Sequence, residues 1–201
     1  MRIGIFGGSF NPPHKVHENI ATYLLDHDYV DKIIFVPTGS KYKYKHNLIS
    51  DKDRYNMINI IAKKRVEFAV SDYDLKDYPV YTYQTLRHFS ALYPDDEIYF
   101  ICGSDNLSYI DSWENALEIL TNYKILVIKR EGDDIDKILE KLTSYRENII
   151  ITGMVETKLS STMIRDKVFL NLENALDKDV YLYIVDNELY GYEKDDKDDK
   201  S

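Results

Sequence analysis

Six short apolar runs, at 3–6, 32–36, 66–70, 97–102, 124–128 and 148–151, recur along this chain. None alternates strictly between apolar and polar residues, so each reads as a strand buried on both faces, as a parallel sheet requires. Between them lie stretches of helical period, roughly 14–27, 52–64, 82–92, 113–120 and 134–142; two more, 161–170 and 179–185, follow the last strand. Alternation of this kind predicts an α/β fold: a doubly wound open parallel sheet with C-terminal helices. No linker, repeat or hinge divides the sequence. Residues 1–192 are therefore expected to form a single domain, and the Lys/Asp-rich tail 193–201 is expected to be disordered.

Sheets of this class bind ligands beyond the carboxyl ends of their strands, near the point where strand order reverses. Attention falls on the loops after strands one, two and four. Strand one runs straight into Gly7-Gly8-Ser9-Phe10, then Asn11-Pro12-Pro13-His14-Lys15-Val16-His17. The two glycines are expected to turn with positive φ and to let a ligand approach the amides. His14 and His17, three apart, share one face of a first helical turn. Two imidazoles beside a helix N-terminus make a phosphate clamp. An H-x-x-H pair is also a zinc pattern, but i,i+4 spacing and a third ligand are missing; ordinary surface histidines are the remaining reading. The glycines match neither the dinucleotide fingerprint nor a P-loop.

Two further elements lie at strand ends. Ser160-Ser161-Thr162 opens the stretch 161–170, where hydroxyls cap a helix, and Arg165 sits about one turn in. A cation is slightly disfavoured there by the helix dipole, which points to an anion at the same end. Gly103-Ser104-Asp105 follows strand four. Asp105 serves equally well as a helix cap or as an acceptor for ribose hydroxyls.

Composition excludes several classes. The formal net charge of −9 disfavours nucleic acid as a partner. No apolar run approaches the roughly 20 residues of a membrane span. One cysteine, Cys102, rules out an internal disulfide framework and fits a reducing compartment. The opening Met-Arg-Ile-Gly reads as a strand, not a leader, so a cytoplasmic protein is expected. The 18 tyrosines scatter through every element and read as compositional bias.

Taken together these residues resemble the nucleotidyltransferase superfamily with its H-x-G-H motif, and specifically the bacterial nicotinate-mononucleotide adenylyltransferases. The resemblance runs from residue 3 to about 190. Besides 7–17 it rests on Val36-Pro37-Thr38-Gly39, Asp53-Arg54-Tyr55-Asn56-Met57, Tyr81-Thr82-Tyr83-Gln84-Thr85-Leu86, Phe100 to Leu107 with Trp113, and Ser160 to Arg165. It implies a Rossmann-like nucleotidyltransferase fold and transfer of AMP from Mg-ATP to nicotinate mononucleotide, within NAD biosynthesis. His14, His17 and Arg165 would be catalytic, meeting the ATP phosphates together with Ser161 and Thr162. Gly7, Gly8, Ser9 and Phe10 would line the nucleotide, Gly103 and Asp105 its ribose. On the acceptor side it implies Thr38, Thr85 for the nicotinate carboxylate and Trp113 stacked on the pyridine. Mg²⁺ would come with ATP, and no metal site of the protein's own is implied. ATP and the mononucleotide are the expected partners, with no nucleic acid or membrane; self-association is left open.

Two positions depart from the family. Val16 stands where the motif has glycine, on a helix face away from the histidines. The family's Pro-Pro-His-Lys gives way to Ser40-Lys41-Tyr42-Lys43-Tyr44-Lys45-His46, where Lys41, Lys43 and Lys45 are expected to neutralise the acceptor phosphate. The readings left beside this one are transfer to another phosphorylated acceptor and an ATP-binding regulatory module without turnover.

Overall fold

The structure, a computed structural model, describes residues 1–156, 159–166 and 174–192. The end of the helical stretch 161–170 and the tail 193–201 lie outside the described residues. Six strands, β1 Arg2–Gly8, β2 Lys32–Pro37, β3 Phe68–Val70, β4 Glu97–Gly103, β5 Lys124–Arg130 and β6 Ile149–Glu156, form one parallel sheet in the order β3-β2-β1-β4-β5-β6. This is the expected doubly wound sheet, and its order reverses between β1 and β4.

The strands carry a different core on each face. In β1, Ile3 and Ile5 point to one side and Phe6 to the other; in β2, Ile34 and Val36 oppose Ile33 and Phe35. One face is covered by α1 (Lys15–Asp26), α2 (Asp51–Ala62) and α8 (Lys178–Asp186), through Ile20 and Leu24, Met57 and Ile61, and Val180 and Ile184. The other is covered by α3 (Thr82–Leu92), by α4 (Ser104–Leu107) and by α5 (Ala116–Asn122), through Leu86, Phe89, Leu107, Ile119 and Leu120. Each such side chain contributes about 1.5–3 kcal/mol on leaving water, which is why no strand needed alternation. Two short helices complete the order, α6 (Ile135–Lys141) and α7 (Ser161–Arg165). Among the described residues no helix is long and apolar enough to cross a membrane.

The boundaries differ from expectation at three places. Val66 is 97% exposed and β3 starts only at Phe68, after a turn closed by the Phe68 amide on the Arg65 carbonyl. The stretch 113–120 is not one helix: Trp113 ends a 3₁₀ turn, Asn115 is left-handed at φ 51°, and α5 begins at Ala116. The last strand extends to Glu156, past a register shift between Val127 and Lys129. There the Thr152 hydroxyl donates to the Val127 carbonyl at 3.0 Å, occupying an acceptor the shift would leave open.

Gly39, after β2, seats the segment between β3 and α3. A Cβ at Gly39 would run into the Asp74 carbonyl oxygen. Gly39→Ala is accordingly expected to cost about 1–3 kcal/mol by overpacking, and to lower the melting temperature by about 3–10 °C in calorimetry. An unchanged melting curve would show that this segment does not depend on the contact.

Candidate active site

The carboxyl ends of β1 and β4, with the loops after β2, β3 and β5 and the turn of α7, enclose a cavity of about 820 Å³. Its geometry starts from the loop after β1. The positive φ expected at Gly7 and Gly8 is found instead at Phe10, at 44°. β1 stays extended through Gly8, which pairs with Pro37. Gly8 lacks a side chain because one there would lie 3.0 Å from the Phe10 ring. That ring, 1% exposed, is wedged edge-on between Phe6 and Phe35, and this packing holds the strained turn.

The turn delivers His14 to the start of α1, its ring 3.9 Å from that of His17. The His14 backbone N–H donates to His17 Nδ1 at 3.1 Å. A neutral His17 therefore carries its own proton on Nε2, as a donor. Burial pushes His17 down to about 4, helped by the charge of Arg130. Burial lowers His14 further still, with His17 and Arg130 adding to it. Both imidazoles are thus neutral near pH 7. His14 Nδ1 is buried with no hydrogen-bond partner among the described residues, a cost relieved when a ligand supplies one. Val16 points the other way, 5% exposed in the apolar core with Ile20, so the bulk it adds to the motif falls away from the cavity.

Arg165 closes this end. It is the last residue of the five-residue α7, not a cation near a helix N-terminus, so the dipole argument against it does not apply. Its Nη1 donates to the Asn11 carbonyl at 2.7 Å and Nη2 to Thr162 Oγ1 at 3.0 Å. Ser161 Oγ donates to the Pro12 carbonyl at 2.8 Å, and Ser160 caps the turn by accepting from the Met163 amide. Ser161, Thr162 and Arg165 reach the cavity beside the histidines.

Opposite, Asp105 and Gly103 line the wall after β4. Asp105 does not cap α4; Gly103 holds the cap position. Arg130 Nε lies 2.9 Å from Asp105 Oδ1, an ion-pair contact without hydrogen-bond alignment. Arg130 escaped the sequence reading although it ends β5, where the same strand-end rule would have found it.

Beyond Gly8 the cavity turns aromatic. Thr38, Thr85 and Trp113 line it, Trp113 lying 6.0 Å from both Phe100 and Tyr109. Of the three lysines, only Lys45 reaches the lining; Lys41 and Lys43 lie outside it. The Lys43 ammonium instead sits over the rings of Tyr44 (4.8 Å) and Tyr81 (5.9 Å), which already satisfies part of its charge. Four tyrosines, Tyr42, Tyr44, Tyr81 and Tyr109, form cavity wall, so at these positions tyrosine is more than compositional bias. Asp74 also lines the cavity and was not foreseen; its one signal was position, in the segment after β3. Among the described residues no group of three or more His, Cys, Asp or Glu is arranged to hold a metal ion.

The model of the cytidylyltransferase-like family matches residues 5–167. A protein of Carboxydothermus hydrogenoformans named probable nicotinate-nucleotide adenylyltransferase is 36% identical over 196 residues, 94% of this chain and 98% of that protein. One of the same name from Caldicellulosiruptor bescii is 39% identical over 169 residues, 82% of this chain and 85% of its own length. The chain belongs to the nicotinate-nucleotide adenylyltransferase family. In shape it is similar to the nicotinic acid mononucleotide adenylyltransferase of Plasmodium falciparum, solved complexed with NaAD and with APC. Each comparison gives a TM-score of 0.78 at 22% identity, covering 95% of this chain and 98% of the other. At that identity the likeness speaks for the fold. The reaction of that family joins two nucleotides, and here one cavity carries both the histidine–arginine end and the aromatic end.

Proposed function

We propose that this chain transfers AMP from ATP, entering as its Mg²⁺ complex, to the 5′-phosphate of nicotinate mononucleotide, giving deamido-NAD and pyrophosphate. The observation that carries this is the pair of neutral imidazoles at the head of α1, His14 buried with an unpartnered nitrogen and His17 half-buried, facing the same cavity as Arg165 and Trp113.

The acceptor phosphate is already anionic near neutral pH, so the reaction needs no strong general base. An acceptor phosphate oxygen forms a bond to the ATP α-phosphorus while the α–β bridging oxygen leaves with pyrophosphate. The task is to bring two anions together and to stabilise the charge that shifts onto the leaving group. In this reading His17 offers its Nε2 proton to the α-phosphate, and the unmatched His14 nitrogen finds its partner on bound ATP. Arg165, tethered to Asn11 and Thr162, meets the β- and γ-phosphates at the head of α7. Asp105 accepts from the ATP ribose, and Trp113 stacks on the acceptor ring. Mg²⁺ would neutralise phosphate charge while keeping most of its water. We place this activity in the cytoplasm, where ATP is plentiful and a free buried thiol such as Cys102 stays reduced.

Pyrophosphate release with Mg-ATP, measured against nicotinate mononucleotide, nicotinamide mononucleotide and phosphopantetheine, tests the reading. A pyridine mononucleotide is expected to support turnover. Release with phosphopantetheine alone would move the substrate assignment elsewhere. ATP binding without release under any acceptor would make the chain a regulatory module.

A further inference from the structure

Asn11, 2% exposed, stands where three other stretches of the chain meet. Its side-chain oxygen accepts from the Tyr190 hydroxyl at 2.9 Å and from the Ile49 amide at 3.3 Å. Its side-chain nitrogen donates to the Asn47 carbonyl at 3.0 Å, and its backbone carbonyl accepts from Arg165 Nη1. These bonds admit one orientation of the amide: turned over, its nitrogen would face two donors and its oxygen a carbonyl. Asn11 thereby joins the loop that delivers the two histidines to Arg165 and to the loop after β2. That second loop adds Lys45, His46 and Leu48 to the same cavity.

Tyr190 is the remotest member of this set. It forms no part of the cavity wall; it lies in the 3₁₀ turn Leu189–Gly191 that follows α8. Its ring packs on the apolar core shared by α1, α2 and α8. Burial raises its ionisation well above the ordinary phenol range, so the hydroxyl keeps its proton and is the donor to Asn11. Glu188 and Tyr190 are left-handed, at φ 51° and 57°, without being glycines. Such a backbone persists only where the surroundings over-determine it. At Tyr190 those surroundings are the packed ring and the bond to Asn11.

Resting on the reading of this cavity as the meeting point of ATP and an acceptor phosphate, we infer that Tyr190 is a positioning residue for the transfer, acting through Asn11. By fixing the Asn11 amide it sets the donor end, with Arg165, against the acceptor loop at Asn47 and Ile49. Each substrate keeps the groups proposed to bind it when the hydroxyl is removed. What is lost is the placement of one substrate against the other, and a small displacement of this kind is felt in the turnover step.

A tyrosine that merely steadies the C-terminal helix is also at hand for comparison. The Tyr183 hydroxyl donates to Asp53 Oδ1 at 2.8 Å and accepts from Asn56 Nδ2 at 2.9 Å, tying α8 to α2. The test compares Tyr190→Phe with Tyr183→Phe in the full chain, by calorimetry and by steady-state pyrophosphate release with Mg-ATP and nicotinate mononucleotide. Both variants keep the ring, and both are expected to lower the melting temperature by about 2–4 °C. Tyr190→Phe is expected to lower kcat about tenfold with each KM within about threefold. Tyr183→Phe is expected to keep kcat within about twofold. Asn11→Ala should lower kcat at least as far as Tyr190→Phe. Adding Tyr190→Phe to it should cost no more than about twofold further, because the hydroxyl then has nothing to act through.

Full kcat in Tyr190→Phe or in Asn11→Ala, a loss confined to KM, an equal loss of kcat in Tyr183→Phe, or additive losses in the double variant overturns the inference. The Asn11→Ala result does not depend on the folding of Tyr190→Phe. Turnover of nicotinate mononucleotide by the unsubstituted chain alongside any of these leaves the proposed function standing. No release from the unsubstituted chain with either pyridine mononucleotide or with phosphopantetheine overturns both.

Discussion

Replacing His17 with alanine is expected to lower pyrophosphate release by about 10²–10³-fold, the usual cost of losing one preorganised donor at a developing charge. The melting temperature should move by only a few degrees, since His17 is partly exposed and its loss leaves Phe6, Phe10 and Phe35 to pack on one another. Two functions are removed together in that variant: the donor offered to phosphate, and the acceptor that fixes the His14 amide. His17→Asn separates them, because an amide carries both an acceptor and a donor. It is expected to recover part of the activity. Full activity in His17→Ala, measured as kcat at saturating Mg-ATP, would remove His17 from the chemistry.

The largest loss of stability is expected at Arg54. Its side chain is fully buried, yet it is charged. Nη1 donates to the Ser9 carbonyl at 2.8 Å, Nε to the Ile49 carbonyl at 3.4 Å, and Nη2 pairs with Asp51 at 2.5 Å. Arg54→Met would strand two carbonyl oxygens and a carboxylate, costing about 3–5 kcal/mol and on the order of 10 °C in melting temperature. Since one of those carbonyls belongs to Ser9, in the loop proposed to line the nucleotide, affinity for ATP should weaken as well. Arg54→Lys restores the charge without the fork and should recover only part of the stability. A melting temperature within about 2 °C of the unsubstituted chain would mean that the surroundings relax to solvate what is stranded.

What could be read from the residues alone followed from physics that acts locally. The apolar runs located all six strands because burial on both faces leaves a signature in each one separately. The strand-end rule brought His14, Arg165 and Asp105 to one cavity without any knowledge of strand order, and the family resemblance added Trp113. Where reading failed, the deciding force came from elsewhere in the chain. Phe10, not a glycine, takes the left-handed turn, because Phe6 and Phe35 leave its ring no other place. Lys43 reads as a phosphate ligand until Tyr44 and Tyr81 are seen beneath it. Asp74 sits in a featureless segment of sequence, where its bond to Thr85, eleven residues on, leaves no mark.

The loop of residues 7–17 is pinned by partners that lie far along the chain. Ser9 depends on residue 54, Pro12 on Ser161, and Asn11 on both Arg165 and Tyr190, whose hydroxyl donates to the Asn11 side chain at 2.9 Å. Contacts this remote in sequence carry a high loop-closure cost, which only the finished fold repays. The loop is therefore braced in full only when the chain is present through residue 190: truncation before Tyr190 would remove a strut from a side chain 179 positions away in sequence.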